Sequence, residues 1–121
     1  MKIGFITIPT ESLDESIQFY ETVLDFELFK RFSPDTDVEI AFMSDRHEGV
    51  VELIRRPGPV SHEGCNVSIG FEVNDIDEIK SHLEKHGVKI VSGPVRLPRA
   101  TRILQAEDPN GVKLGFVQMK E

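Results

Sequence analysis

The stretch DPNGVKLGFVQ, residues 108–118, decides the fold of this chain. Its first four residues are dense in turn chemistry, because proline fixes φ and because asparagine and glycine tolerate positive φ. In the run that follows, apolar side chains recur at every second position, at Val112, Leu114 and Phe116. This alternation predicts a strand with one face in a core.

An internal repeat supports the prediction of this turn and strand. A step of 63 residues, the spacing between Asp45 and Asp108, maps the first half of the chain onto the second. The same step carries the segment 12–15 (SLDE) onto 75–78 (DIDE). Because one spacing aligns strand starts, helix caps and strand ends without a gap, the chain is predicted to contain two copies of a half-domain of about sixty residues.

Each half is predicted to have the order β-α-β-β-β. Ser12 with Glu15, and Asp75 with Glu78, have the spacing of a capping box and predict the two helix starts. Segment 33–36 is predicted to be a turn and segment 92–99 a surface loop. The predicted boundaries are module 1 at 1–57, a linker at 58–64 and module 2 at 65–121. The predicted strands are 2–8, 26–32, 38–43, 50–54, 66–73, 88–91, 100–106 and 112–119.

The composition is that of one globular domain of 121 residues, 39% hydrophobic and 29% charged. A single cysteine, Cys65, excludes an internal disulfide and a thiol cluster for zinc. The net charge of −7 argues against a nucleic-acid surface. The sequence shows neither an apolar run of about 18 residues nor a leader, so we expect no membrane contact and a cytoplasmic location.

Four stretches carry a resemblance to a known family: LDESIQFYETVLDFEL (13–28), VVELI (50–54), VSIGFEV (67–73) and DPNGVKLGF (108–116). They resemble the vicinal oxygen chelate superfamily, which contains glyoxalase I, extradiol dioxygenases and the fosfomycin- and bleomycin-resistance proteins. The resemblance covers essentially the whole chain. It implies an α+β fold of two tandem β-α-β-β-β modules, with a curved mixed sheet, an internal ligand cup and the helices outside. It also implies a homodimer, often with cups built from modules of two chains.

The resemblance also locates four positions where the family's metal enzymes hold their ion. These enzymes place one ligand on the first strand and one on the last strand of each module. The repeat puts those positions at Phe5 and Ser68 and at Glu52 and Gly115. The family pattern has His or Gln at the first pair and Glu at the second, so only Glu52 matches. A phenyl ring and a glycine cannot coordinate a cation and a serine hydroxyl is a weak donor, so we expect no metal and no cofactor.

The histidines offer no clear replacement. His82 and His86 share a helix face at i, i+4, a spacing that can bind metal, but no third donor lies nearby in the sequence. The alternative is a pair of histidines that end a helix, where positive charge is favourable. The other two, His47 and His62, fall in polar segments.

Glu52 leaves two interpretations open. It interrupts an apolar strand, so it is either a carboxylate partly withdrawn from water that acts as a base or accepts a ligand amine, or a remnant paired with an arginine. Rim arginines could grip an anion, although solvated charge explains Arg55 and Arg56 equally well. The further rim arginines are Arg96 and Arg99. The predicted ligand-binding set is Phe5, Thr7, Glu52, Ser68, Gly70, Glu72, Arg102 and Gly115.

Three functions follow from these residues and from the resemblance. The leading hypothesis is a metal-free protein that binds a small, partly apolar molecule, aromatic or cationic, as in the bleomycin-resistance branch. The second is a glyoxalase-type lyase, isomerase or epimerase that uses Glu52 as base or metal ligand. The third is a non-catalytic dimeric scaffold with a vestigial cup.

Overall fold

The computed structural model describes residues 1–62, 64–65, 67–97 and 101–118 of the chain. Within these ranges the chain forms eight strands and two helices. The first half contains β1 (Ile6–Pro9), α1 (Leu13–Thr22), β2 (Glu27–Asp35), β3 (Val38–Ser44) and β4 (Val50–Arg55). The second half contains β5 (Ser68–Glu72), α2 (Ile76–Lys85), β6 (Ile90–Arg96), β7 (Arg102–Glu107) and β8 (Lys113–Gln118).

The two halves have the same topology. One sheet has the order β1-β4-β3-β2 and the other the order β5-β8-β7-β6. In each sheet the first strand pairs in parallel with the last, and the remaining neighbours are antiparallel. The predicted α+β fold of two β-α-β-β-β modules is therefore confirmed.

The chain divides into two compact units at Ser61 and His62, inside the segment 58–64 that the sequence predicts as a linker. We keep the names module 1 and module 2 for these two units. No helix in the described part of the chain is long and apolar enough to cross a membrane.

Helix α1 has both a capping residue at its N-terminus and an apolar stripe along one side. Ser12 has an extended backbone and its hydroxyl accepts the Glu15 N–H at 3.3 Å, which satisfies one of the free amides of the first turn. Its apolar stripe faces the sheet: Leu13, Ile17 and Tyr20 are all buried, and the Tyr20 side chain is fully enclosed. These residues pack on β3 and β4.

Helix α2 repeats this construction with a different cap. The Asp75 carboxylate accepts the N–H groups of Asp77 and Glu78, at 3.0 and 3.3 Å. Its acidic first turn also suits the positive end of the helix dipole. Ile76 and Leu83 are buried and fix the helix on its sheet.

One face of each sheet is buried under its helix. On the face that the helix covers, the buried strand residues lie at alternate positions in both modules. We call the opposite face of each sheet its open face. The buried set is Ile8, Ala41, Met43, Val51 and Leu53 in module 1, and Leu104, Ala106, Leu114 and Phe116 in module 2.

The turn before each closing strand repeats at the level of single hydrogen bonds. In module 2 the Asp108 carboxylate accepts the N–H groups of Asn110 and Val112, both at 2.8 Å. In module 1 the Asp45 carboxylate accepts those of His47 and Gly49, at 2.8 and 2.9 Å. Asp108 and Asp45 therefore each serve their own turn as hydrogen-bond acceptors.

The edge strands differ most from the prediction. Prolines suggested a turn at 33–36 and a loop at 92–99, but β2 extends to Asp35 and β6 extends to Arg96. Both prolines, Pro34 and Pro94, lie in edge strands beside a shift of register. The prediction of a loop was wrong for residues 92–96, because an edge strand with a bulge needs no N–H from the proline, and residues 98 and 99 lie outside the described part of the chain.

The other strand ends differ by a few residues. Strand β1 begins at Ile6 and not at residue 2, because its pairing with β4 starts opposite Val51. Phe5 therefore lies just before the strand. The predicted ends at Asn66, Ala100 and Met119 lie outside the described residues.

Candidate functional site

A row of four side chains crosses the open face of module 1. Thr7 on β1 lies opposite Glu52 on β4, which lies opposite Phe42 on β3, and Phe42 lies opposite Lys30 on β2. Residues opposite each other on neighbouring strands present their side chains to the same face. The strand pairing therefore brings a hydroxyl, a carboxylate, a ring and an ammonium onto one surface.

The Thr7 hydroxyl fixes the Glu52 carboxylate. It donates to Glu52 Oε1 at 2.8 Å, the usual length of a hydroxyl hydrogen bond. Glu52 is half-buried in the middle of its sheet. A carboxylate has about four lone-pair sites, so the second oxygen keeps its capacity to accept a ligand's proton or hydrogen bond.

Four phenylalanines form a cluster on the open face, next to Glu52 in the strand register. Phe42 is their centre: the Phe5 ring meets it edge-on at 5.9 Å, and the rings of Phe29 and Phe32 stack on it at 5.9 and 6.1 Å. Phe5 and Phe29 remain about half exposed, at 53% and 52%. Lys30 Nζ lies 4.8 Å from the centre of the Phe32 ring, a cation–π distance.

The equivalent row of module 2 has different chemistry. Gly70 on β5 lies opposite Gly115 on β8, Gly115 opposite Gln105 on β7, and Gln105 opposite Ser92 on β6. The step of 63 residues thus replaces the threonine and glutamate of module 1 by two glycines and the central ring by an amide. The Ser92 hydroxyl donates to Gln105 Oε1 at 2.8 Å.

A cavity of about 220 Å³ lies beside this row. Ser68 and Lys113 are opposite each other in the register and both line it. Lys113 Nζ donates to the Cys65 carbonyl at 2.8 Å, which holds the ammonium in place. The remaining lining residues are Val91, Gln105, Ala106, Glu107 and Leu114.

The predicted site residues therefore divide between two open faces. Thr7, Glu52 and, through its ring contact, Phe5 belong to that of module 1. The other predicted residues on an open face share the parity of Gly115 and belong to module 2. They are Ser68, Gly70, Glu72 and Gly115. A shared cup that takes residues from both modules stays a prediction.

Arg102, whose face the sequence left open, lies on the helix side of its sheet and therefore apart from the open-face residues of the predicted ligand-binding set. It has the strand parity of the buried residue Leu104 and donates two hydrogen bonds, both at 3.0 Å, to the Asp77 carboxylate on α2. The hydrogen bonds and charge of Arg102 lower the pKa of Asp77. In module 1 the equivalent aspartate, Asp14, is bound by Arg31 at 2.8 Å. These arginines attach each helix to its sheet.

The rim arginines have separate surroundings. Arg55 pairs with Glu39 at 3.5 Å and shares the helix-side parity of Leu53. Arg56 lines a second cavity of about 270 Å³ that the segment 57–61 forms with Pro9 and Ile54. Arg99 lies outside the described residues.

The residues do not fit a metal ion at the four positions that the resemblance assigns. Glu52 is the one strong ligand among them, and its Oε1 is already bonded to Thr7. Among the described residues, no group of three His, Cys, Asp or Glu side chains is placed to hold an ion. His82 and His86 contact each other, with ring centres 4.6 Å apart.

The family comparison decides the classification. A model of the Glyoxalase/Bleomycin resistance protein/Dioxygenase superfamily matches residues 2–116. The chain belongs to this superfamily. The comparison with curated proteins found no match.

Solved structures agree with this membership. A glyoxalase family protein from Bacillus cereus is 26% identical, with a TM-score of 0.82 over 98% of this chain and 93% of that one. A glyoxalase I mutant from Zea mays is 20% identical, with a TM-score of 0.84 over 99% of this chain and 45% of that one. The fosfomycin resistance protein FosX from Listeria monocytogenes is 15% identical, with a TM-score of 0.81 over 95% and 91%. The last two likenesses concern the fold alone.

Sequence reasoning missed several open-face residues: Phe29, Phe32, Phe42, Gln105 and Lys113. The available signal was strand parity, because Phe42 lies one residue before the buried Met43 and Lys113 one before the buried Leu114. Applying the 63-residue step to Phe42 also reaches Gln105.

Proposed function

We propose that this protein is a metal-free binding member of its superfamily that takes a small, partly apolar molecule, aromatic or cationic. The observation that carries the proposal is the Glu52 carboxylate, held by Thr7 next to the ring cluster around Phe42. The ligand-binding set that we propose is Phe5, Thr7, Glu52, Ser68, Gly70, Glu72 and Gly115.

The chemistry of the face supports an aromatic cation in particular. Ring faces are electron-rich and attract a cation, and a carboxylate beside them adds a direct charge partner. The ammonium of Lys30 over the Phe32 ring shows that this surface accommodates a cation–π contact. Aromatic rings also supply the apolar area that small-molecule sites typically offer.

Titration calorimetry with benzyltrimethylammonium and with its neutral isostere, neopentylbenzene, tests the proposal. We expect the cation to bind and Glu52→Gln to weaken its binding about tenfold, which corresponds to the loss of a charge–charge attraction of about 1.4 kcal/mol. Glu48→Gln, in an exposed segment, removes the same charge and serves as the matched control. Equal affinity of the two glutamine variants for the cation would contradict a role for Glu52.

A base at Glu52 gives the second candidate, a lyase, isomerase or epimerase of glyoxalase type. The specific observation is that Thr7 bonds one carboxylate oxygen and leaves the other to take a proton. If this is correct, the protein exchanges the α-protons of hydroxyacetone with D₂O faster than Glu52→Gln does, as followed by proton NMR. A silent Glu52→Ala in both assays would instead favour the third candidate, a scaffold with a vestigial cup.

A homodimer in the cytoplasm completes the proposal. Apolar side chains lie exposed just before the first strand of each module, with Ile3 at 83% and Val67 at 72%. Burying such side chains against a second copy is favourable. The free, exposed thiol of Cys65 suits a reducing compartment. Light scattering on a sizing column tests the dimer, for which we expect twice the chain mass of 13.7 kDa.

A further inference from the structure

The open face of module 2 is rich in hydrogen-bond donors where that of module 1 carries rings and an acid. Equivalent positions hold Phe5 and Ser68, and Phe42 and Gln105. Val50 in module 1 corresponds to Lys113 in module 2. Core packing does not require this difference, because these side chains point away from the helix in both modules. A ligand of opposite character gives the difference a physical reason.

Three of these side chains meet at the cavity of about 220 Å³. Lys113 has three ammonium protons and gives one to the Cys65 carbonyl, so two remain for a ligand. The Ser92 hydroxyl donates to the oxygen of the Gln105 amide, so the NH₂ group of that amide is left to donate to a ligand. The Ser68 hydroxyl adds a third donor to the lining.

The charge of Lys113 is available to a ligand. Glu107 lies opposite Lys113 in the register and lines the same cavity, but its carboxylate forms an ion pair with Lys89, at 3.8 Å. No carboxylate of the described residues lies within 4.0 Å of the Lys113 ammonium. Within module 2, the Lys113 ammonium is thus held in position without a direct ion pair to any described residue.

We propose that this cavity is a subsite for the carboxylate of a small organic acid. One ammonium with an amide and a hydroxyl matches the single charge and the two oxygens of a carboxylate, whereas a phosphate dianion favours arginine forks. The volume lies below the roughly 300–1,000 Å³ of pockets that enclose a drug-sized ligand, so the cavity takes a small acid or the acidic end of a larger molecule. This subsite does not depend on Glu52.

Proton–nitrogen correlation NMR with benzoate as the probe tests the subsite. We expect benzoate to shift the amides of Ser68, Gln105 and Lys113 with a dissociation constant on the order of 1 mM, and neutral benzamide to bind at least fivefold more weakly. Lys113→Met, which keeps the stem and removes the charge, is expected to weaken benzoate at least tenfold. Lys85→Met removes the same charge from the end of α2 and leaves benzoate affinity within twofold.

Two further arms make the outcome decisive. Gln105→Glu places a negative charge in the cavity and is expected to abolish the benzoate shifts in a protein whose thermal midpoint confirms folding. Glu48→Gln, in an exposed segment of module 1, is expected to leave benzoate affinity within twofold. Equal binding of benzamide, stronger binding of inorganic phosphate than of benzoate, or benzoate shifts that persist in Lys113→Met would each overturn the proposal.

Discussion

Replacing Asp108 by alanine tests whether one carboxylate organises the turn before the closing strand of module 2. Asp108 is only 5% exposed, and its Oδ1 accepts two backbone N–H groups at 2.8 Å. Alanine leaves both amides without this acceptor. Because Gly111 at the tip of the turn is exposed, water replaces part of what is lost, and we take the low end of the penalty, about 1 kcal/mol for each amide.

The expected loss of unfolding free energy for Asp108→Ala is therefore about 2 kcal/mol. For a chain of 121 residues this corresponds to a fall of about 7 °C in the thermal midpoint. The matched control is Asp45→Ala, which removes the same pair of bonds in module 1 at a half-buried position. It should cost about 1 kcal/mol, because its amides are more open to water.

Urea unfolding followed by circular dichroism measures both variants, and Asp108→Asn, which keeps one acceptor oxygen, should recover about half of the loss. The reasoning is refuted if Asp108→Ala costs less than about 0.5 kcal/mol, the range of ordinary surface substitutions. It is equally refuted if Asp45→Ala proves the more harmful of the two, because burial would then not set the penalty.

Two more substitutions follow from contacts within module 2. Gly93 has φ +90 and a methyl group there would meet a backbone oxygen at 2.6 Å, so Gly93→Ala should cost at least about 2 kcal/mol in urea unfolding, while Gly70→Ala, with open space around it, should stay within about 1 kcal/mol. Asp77→Asn should destabilise the protein at neutral pH but progressively less in acid. The hydrogen bonds from Arg102 lower the folded pKa of Asp77, so its contribution is present above the unfolded value of about 3.9 and is lost as the pH falls through the folded pKa. A destabilisation by Asp77→Asn that stays constant from pH 7 to pH 2.5 would contradict this.

The repeat made most of the fold accessible from sequence. Capping residues and turn carboxylates act locally, so Ser12, Asp75 and Asp108 could be assigned from their immediate neighbours. Thr7 and Glu52 could be assigned to one face from strand parity, because the apolar alternation is clear on β1 and β4. This assignment needed no long-range information beyond the 63-residue step.

The remaining features depended on information that alternation does not carry. On β7 both parities contain apolar residues, Leu104 on one side and Ile103 on the other, so the face of Arg102 was undetermined. Its partner, Asp77, lies 25 residues away, and no local rule connects them. The ends of the two proline-containing edge strands were predicted wrongly for a related reason. A bulge restores strand pairing at a point where a residue-by-residue rule expects the strand to end.

The alternation of helix-side and open-face residues along every strand has a consequence for how such a chain diversifies. The helix-side positions of a strand must pack in the core, whereas the open-face positions between them are free to vary. After duplication of a half-domain, the open-face residues of one copy could therefore be substituted while those of the other copy stayed the same. This separation of core positions from surface positions allows one repeated fold to carry two chemically different open faces.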